Sequence, residues 1–230
     1  MNALNGYEYI SENIKRILYD IGEAEAACGR EQGSVRLMAV TKTVAPEAVN
    51  AAIGCGVTLL GENRVQEYLE KKDRYLPTAE VQFIGHLQTN KVKYIVGEVS
   101  LIHSVDSVKL GAEIDRLAAK KGIVQDILAE VNIGGEISTS GIAPDELAEL
   151  LEQLSEMKNI RLKGLMTIPP PGSSEHSFEA MQRIFEDVKR RYSQADILSM
   201  GMSADYSLAV KYGSGLVRVG SGIFGARKYI

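Results

Sequence analysis

Apolar residues follow two rhythms along the chain: short runs with strand character, and longer stretches in which they recur every third or fourth position. Ile10, Ile14, Ile17, Leu18 and Ile21 have the second spacing and predict an amphipathic opening helix. Such a helix must pack on something already built, as a lid or a bottom plug. In the run 37–43 that follows, Met38, Ala39 and Val40 read as a buried strand ending at Lys42. Pro46 then starts a helix at its favoured first-turn position, with Ala48, Val49, Ala52 and Ile53 as its apolar face and Gly54 and Gly56 at its end. The alternation continues with strand 57–60, helix 65–74, strand 81–84, helix 91–96, strand 101–104, helix 108–120 and strand 123–131. Pro144 opens helix 145–157, followed by strand 160–166, a Pro/Gly/Ser loop over 169–174, helix 178–192, strand 197–199, helix 206–212 and strand 215–219.

Eight strands separated by seven helical segments imply right-handed crossovers and a parallel sheet, and eight is the number that closes. The predicted fold is a single (β/α)8 TIM barrel with an extra N-terminal helix, which stands in for the missing last one. A doubly wound open sheet is the alternative. The length of 230 residues suits one undivided domain spanning 1–230, and no stretch reads as a linker.

Composition adds exclusions. With 45% hydrophobic and 24% charged residues the chain reads as globular. A net charge of -4 argues against a nucleic-acid partner, which would require a clustered basic surface. Cys28 and Cys55 have no zinc-like spacing. No signal peptide or apolar run long enough to span a membrane is visible, so a cytoplasmic setting is expected.

In a barrel, residues just past the strands share one rim. These are Lys42 and Thr43 after strand 1, 61–64 after strand 2, 85–90 after strand 3, 104–107 after strand 4, Asn132, Met166 and Thr167, 199–203 after strand 7, and 218–222 after strand 8. Lys42, an amine near apolar surface, loses part of its preference for the charged form and can attack an aldehyde. Loops after strands 7 and 8 often bind phosphate. Here Gly201, Gly220 and Gly222 allow close backbone approach, while Ser203 and Ser221 add hydroxyl donors. Residues 220–225 also spell GxGxxG, but at the wrong end of the chain for a dinucleotide fingerprint. A phosphate pocket sharing a rim with a lysine implies a phosphorylated aldehyde, and pyridoxal 5′-phosphate is the obvious candidate. Its aldehyde would form an imine with Lys42, and Arg218 is placed to face its ring nitrogen. Arginine only donates, so it would keep that nitrogen unprotonated and weaken the ring as an electron sink.

The segments 39–43, Gly61-Glu62-Asn63, 83–91, Gly164-Leu165-Met166, 199–205 and 217–220 together resemble the signatures of the pyridoxal phosphate homeostasis proteins along nearly the whole chain. The resemblance implies a barrel like the N-terminal domain of alanine racemase, with the cofactor carried on Lys42. Arg218 would face the pyridine nitrogen, Asn63 would lie beside the ring, and Ser203, Gly220 and Ser221 would bind phosphate. It further implies a protein without established turnover that acts in vitamin B6 homeostasis, and the single barrel is expected to be a monomer. Its effects would be to pass cofactor to pyridoxal-phosphate-dependent apo-enzymes and to influence amino-acid and keto-acid pools indirectly. One departure is Thr139, where the family often has a lysine connected with a second cofactor contact.

Two enzyme readings compete. A small racemase needs proton donors on both faces of the substrate, and beyond Lys42 only His86 suggests itself; His103 reads as core and His176 as solvated. An aldolase would recruit Glu130 and Lys163, though alternation in 161–165 leaves the direction of Lys163 undecided.

Overall fold

The structure, a computed structural model, describes residues 6–136 and 140–225. Eight parallel strands close into a barrel in sequence order. They are β1 (Arg36–Val40), β2 (Leu59–Glu62), β3 (Glu80–Phe83), β4 (Leu101–Val105), β5 (Gln125–Val131), β6 (Ile160–Thr167), β7 (Ile197–Ser199) and β8 (Leu216–Val219). β8 returns to pair with β1, setting Met38 opposite Arg218 and Ala39 opposite Val219. That closure excludes the open sheet. The helices are α1 (Glu8–Ala27), α2 (Pro46–Gly54), α3 (Val65–Lys71), α4 (Val108–Lys121), α5 (Leu147–Ser155), α6 (Ser174–Arg191), α7 (Tyr206–Lys211) and α8 (Ser221–Phe224).

Successive strand residues face opposite sides, and the packing sorts them accordingly. Ala39, Leu60, Val217 and Val219 pack with α1 and α2 on the outside. Phe83, Ile102, Ile127, Ala129, Leu165 and Leu198 join the larger outer cluster under α4 to α6. The interior is filled by Met38, Val40, Leu59, Ile84 and Leu216 on one side and by Leu101, Leu128 and Met166 on the other.

The opening helix is neither lid nor plug. α1 lies in the outer ring against α2, α7 and α8. Among the described residues the short α8 alone follows β8, and α1 completes the cover over the outer faces of β8 and β1. Ile10, Ile14, Ile17 and Ile21 cover them and are buried, each side chain contributing about 2 kcal/mol of transfer free energy. Leu18 falls outside that stripe and is 49% exposed. Polar pins fix the placement. Asn13 Nδ2 donates to Ile223 O at 3.0 Å, Tyr206 Oη donates to Asp20 Oδ2 at 2.6 Å, and Arg30 Nη1 donates to Val210 O and Ser214 O at 3.1 and 2.7 Å.

Several boundaries differ from expectation by a few residues, three of them for a visible reason. β2 begins at Leu59 because Val57 belongs to the turn that ends α2, where its N–H donates to Ala52 O at 3.2 Å and Gly56 takes a φ of 96°. The segment predicted as a helix over 91–96 is a 3₁₀ helix, Thr89–Tyr94, followed by the buried Ile95 and Val96. Val92 and Ile95 are three apart, the spacing that aligns in a 3₁₀ turn. α6 starts at Ser174 and absorbs the end of the predicted loop, His176 included, which is exposed in its first turn.

Candidate functional site

The two-residue period of the strands gathers the upper layer of the interior. Above Met38 and Val40 the alternation continues to Lys42, above Leu59 and Gly61 to Asn63, and above Leu216 to Arg218 and Gly220. Lys42 is half-buried in the turn just past β1. Its neighbour Thr43 has a φ of 62°, uncommon for a β-branched residue. That turn is clamped from outside. The Thr43 N–H donates to Glu67 Oε1 at 2.5 Å, and Lys71 Nζ pairs with the same carboxylate while donating to Thr41 O at 3.1 Å.

Asn63 Oδ1 is buried without a hydrogen-bond partner among the described residues. Gly85 is what lets the chain pass so close to it: a Cβ at Gly85 would stand 2.0 Å from Asn63 O. Glu62, expected on the rim, instead closes β2 on the outward side. Thr41 Oγ1 donates to its Oε1 at 2.7 Å and the Tyr75 hydroxyl donates to the same atom. Burial raises its pKa against the opposing pull of those two bonds. The reason for the correction is that β2 runs on past Leu60 to Glu62, paired there with Phe83, so that alternation from the outward Leu60 turns Glu62 outward as well.

Past β7 and β8 the chain forms a cradle. Ser203 Oγ accepts from Gly220 N at 3.3 Å and from Gly222 N at 3.2 Å. Ser221 is exposed at the start of α8, beside these amides. Gly201, at a φ of 92°, turns the chain where a Cβ would press to 2.5 Å from Ala209 Cβ. Asp205 stiffens the loop, its Oδ1 accepting from Met202 N at 2.7 Å and its Oδ2 from Ser174 Oγ at 2.6 Å. Backbone N–H groups and hydroxyls so arranged suit an anion.

Arg218 is buried inside the barrel. Its Nη1 donates to Ser199 Oγ at 2.7 Å and its Nη2 to Thr167 O at 2.9 Å, leaving donors of the five-membered fork for a ligand. Burial lowers its pKa to about 10, so it remains a cation at neutral pH. Glu130, on the inward side of β5 above Leu128, is buried with Oε2 unpartnered among the described residues. Burial, with a smaller push from Asp106, raises its pKa to about 7 against the pull of Arg218.

Other candidates go elsewhere. His86 is 58% exposed, with Nδ1 3.9 Å from Asp106 Oδ2. Lys163 pairs with Asp196 at 2.9 Å in a cleft at the opposite end of the barrel, about 430 Å³ in volume and shared with Arg36, Glu80 and Asp126. This removes the second lysine that an aldolase would need on the rim. Thr139 lies outside the described residues. His103 is buried as expected, yet in a polar chain rather than apolar core, with Ser199 and Gln82 as partners. Reading β7 with period two from Ile197 would have turned Ser199 inward.

With this geometry in place, comparison with known proteins is informative. The sequence profile of the alanine racemase N-terminal domain matches residues 14–228. A pyridoxal phosphate homeostasis protein from Aquifex aeolicus (strain VF5) is 44% identical over 227 residues, covering 95% of this chain and 98% of that one. The chain belongs to the pyridoxal phosphate homeostasis protein family. Solved structures agree with that membership. A protein from Bifidobacterium adolescentis superposes with a TM-score of 0.89 at 34% identity, covering 95% of both chains. PipY of Synechococcus elongatus PCC7942, solved with PLP bound, superposes with a TM-score of 0.78 at 32% identity, covering 89% of this chain and 100% of that one. Both solved proteins thus share the barrel that, in this chain, carries Lys42, Asn63, Arg218 and the Ser203–Gly220 cradle at one end.

Proposed function

We propose that the chain binds pyridoxal 5′-phosphate, holds it covalently through Lys42, and serves intracellular vitamin B6 homeostasis as a carrier rather than through turnover. The observation that carries this reading is the composition of one barrel mouth: an amine, an anion cradle and a buried cation stand on strand ends that are neighbours around the ring, β7, β8 and β1. Family membership and the PLP-bound relative support it. When bound, the cofactor supplies an aldehyde that an amine captures reversibly with loss of water.

The residues present fit such a ligand. The Ser203 hydroxyl and the amides of Gly220 and Gly222 suit the phosphate, with Ser221 at the edge of the same cradle. Asn63 Oδ1, buried and unpartnered among the described residues, gains a polar neighbour when the ring lies beside it. Arg218 faces the ring nitrogen as a permanent donor, which keeps that nitrogen unprotonated and restrains electron withdrawal. A carrier benefits from that restraint and a racemase does not. His86, the group nominated for the second face, stands on the exposed rim. Release to pyridoxal-phosphate-dependent apo-enzymes, with indirect effects on amino-acid and keto-acid pools, follows as the role of a protein that captures the cofactor without consuming it. The same reading places the monomeric barrel in the cytoplasm.

The direct test is cofactor loading. Protein incubated with pyridoxal phosphate and desalted is expected to keep a stoichiometric absorbance band at the violet edge of the visible, and Lys42→Ala is expected to lose it. An equal band in Lys42→Ala would refute the assignment of that lysine.

A further inference from the structure

A chain of buried hydrogen bonds runs through the barrel beneath Arg218, and its proton positions follow from the partners. Gln82 Nε2 donates to Glu80 Oε1 at 2.8 Å, so the amide oxygen of Gln82 faces His103 Nε2 at 2.7 Å. An amide oxygen only accepts, hence the imidazole proton sits on Nε2. His103 Nδ1 then carries the lone pair and accepts the hydroxyl proton of Ser199 at 3.1 Å. The Ser199 oxygen, having given its proton away, accepts from Arg218 Nη1 at 2.7 Å. Reversing any one bond sets two donors or two acceptors against each other. The opposite arm of the guanidinium is fixed independently by Thr167 O at 2.9 Å.

We propose that His103 is the positioning residue of the cofactor site: through Ser199 it fixes the plane and direction of the Arg218 guanidinium beneath the ligand ring. The inference rests on the reading of Arg218 as the partner of the ring nitrogen. An arginine held by Thr167 alone would pivot about a single bond, whereas two bonds from adjacent strands, β6 and β7, define the plane of the fork. His103 touches neither ligand nor reacting atoms; it orients the hydroxyl that orients the arginine. Neutrality is essential, because a proton on Nδ1 would replace the acceptor that Ser199 needs. Complete burial and the nearby positive charge of Arg218 hold the imidazole well below its ordinary range, which keeps that acceptor in place at physiological pH.

The test begins without cofactor. Nitrogen NMR of the unloaded protein at neutral pH is expected to show His103 neutral with its proton on Nε2; a charged ring or the Nδ1–H tautomer overturns the proposal. With pyridoxal phosphate added, His103→Leu and Ser199→Ala are each expected to move the absorbance band of the bound cofactor. Each should also weaken retention about tenfold, the size of losing one hydrogen bond to a charged group. His103→Asn, which preserves an acceptor for Ser199, is expected to restore most of the wild-type band. The double variant His103→Leu/Ser199→Ala is expected to lose no more than the worse single variant, as members of one chain do. A merely structural role would lower thermal stability and leave the band where it was, and that result overturns the proposal. Arg218→Gln tells the two readings apart: if it moves the band and His103→Leu does not, the positioning role alone fails. If neither moves it, the ring-facing role of Arg218 fails and the proposal falls with it.

Discussion

At the scale of single residues, the site depends on a turn that is unfavourable in isolation. Thr43 at a φ of 62° costs roughly 1–2 kcal/mol, as expected for a β-branched residue in the left-handed region. Glu67 offsets that cost by accepting from the Thr43 N–H and holding Lys71 against the Thr41 carbonyl. Glu67→Ala is therefore expected to release the turn that presents Lys42. Cofactor affinity measured by equilibrium dialysis should fall several-fold, while unfolding free energy falls by only about 1–2 kcal/mol. Unchanged affinity would show that Lys42 is held by other means. Arg218→Glu is expected to shift the absorbance of bound cofactor by allowing ring protonation, and an unchanged spectrum would exclude contact. Both Lys42 and Arg218 were legible in the sequence, because each continues the inward alternation of an unmistakable strand. Glu62 was not. It lay past the predicted end of the strand at Leu60, and the pairing of Gly61 and Glu62 with β3, a tertiary feature with a weak local signature, is what extends the strand and turns Glu62 outward.

Among the elements, the β5–β6 pair carries the decisive irregularity. Register shifts there between Ile127 and Leu128, so that Ile127 faces Leu162 while Leu128 faces Gly164. The extra residue lets Lys163 turn toward Asp196 at the lower end, and it returns Met166 to the interior. Gly164 sits at this step with a φ of 143°, and a Cβ there would lie 1.9 Å from Ile197 O. Gly164→Ala is expected to destabilise the fold by more than about 3 kcal/mol, through backbone strain added to a clash with a strand that cannot move aside. Denaturant titration checks this, and a loss under about 1 kcal/mol would show that the step relaxes easily. The bulge explains why alternation along 161–165 could not give the direction of Lys163: the period breaks inside the strand. Helices, by contrast, were legible wherever cap and apolar stripe agreed. In α4, Ser107 Oγ accepts from Leu110 N at 3.4 Å and Gly122 ends the helix at a φ of 68°. The stretch after β3 was misread because a 3₁₀ helix uses the same residue types as a short α-helix.

For the molecule as a whole, the barrel interior is stratified, and that stratification sets how stability responds to pH. Strand counting foretold the closed barrel, since eight alternating strands leave few other topologies. It did not foretell a polar layer of His103, Ser199, Arg218 and Glu130, tied through Gln82 to the lower end, because membership requires knowing every strand's register at once. Two of these groups pull stability in opposite directions. Glu130 titrates at about 7 when folded against an ordinary 4.5, so the folded state binds its proton more tightly. Its effect is absent below about 4.5, and stability falls as pH rises from there through about 7. His103 is held well below its ordinary 6.5, so its unfolded form takes up a proton first and stability falls as pH drops below that value. Where these ranges overlap, from about 4.5 to 6.5, the two slopes partly cancel; above pH 7 only the cost of ionised, buried Glu130 persists. Glu130→Gln keeps the shape and removes the charge. It is expected to match the parent protein near pH 4.5 and to exceed it at pH 8 by up to about 3 kcal/mol, as the displacement of one acid by that interval allows. Urea unfolding of both proteins across that range reads the difference directly. Equal stability at pH 8 would mean that Arg218 and solvent at the open mouth already accommodate the Glu130 carboxylate.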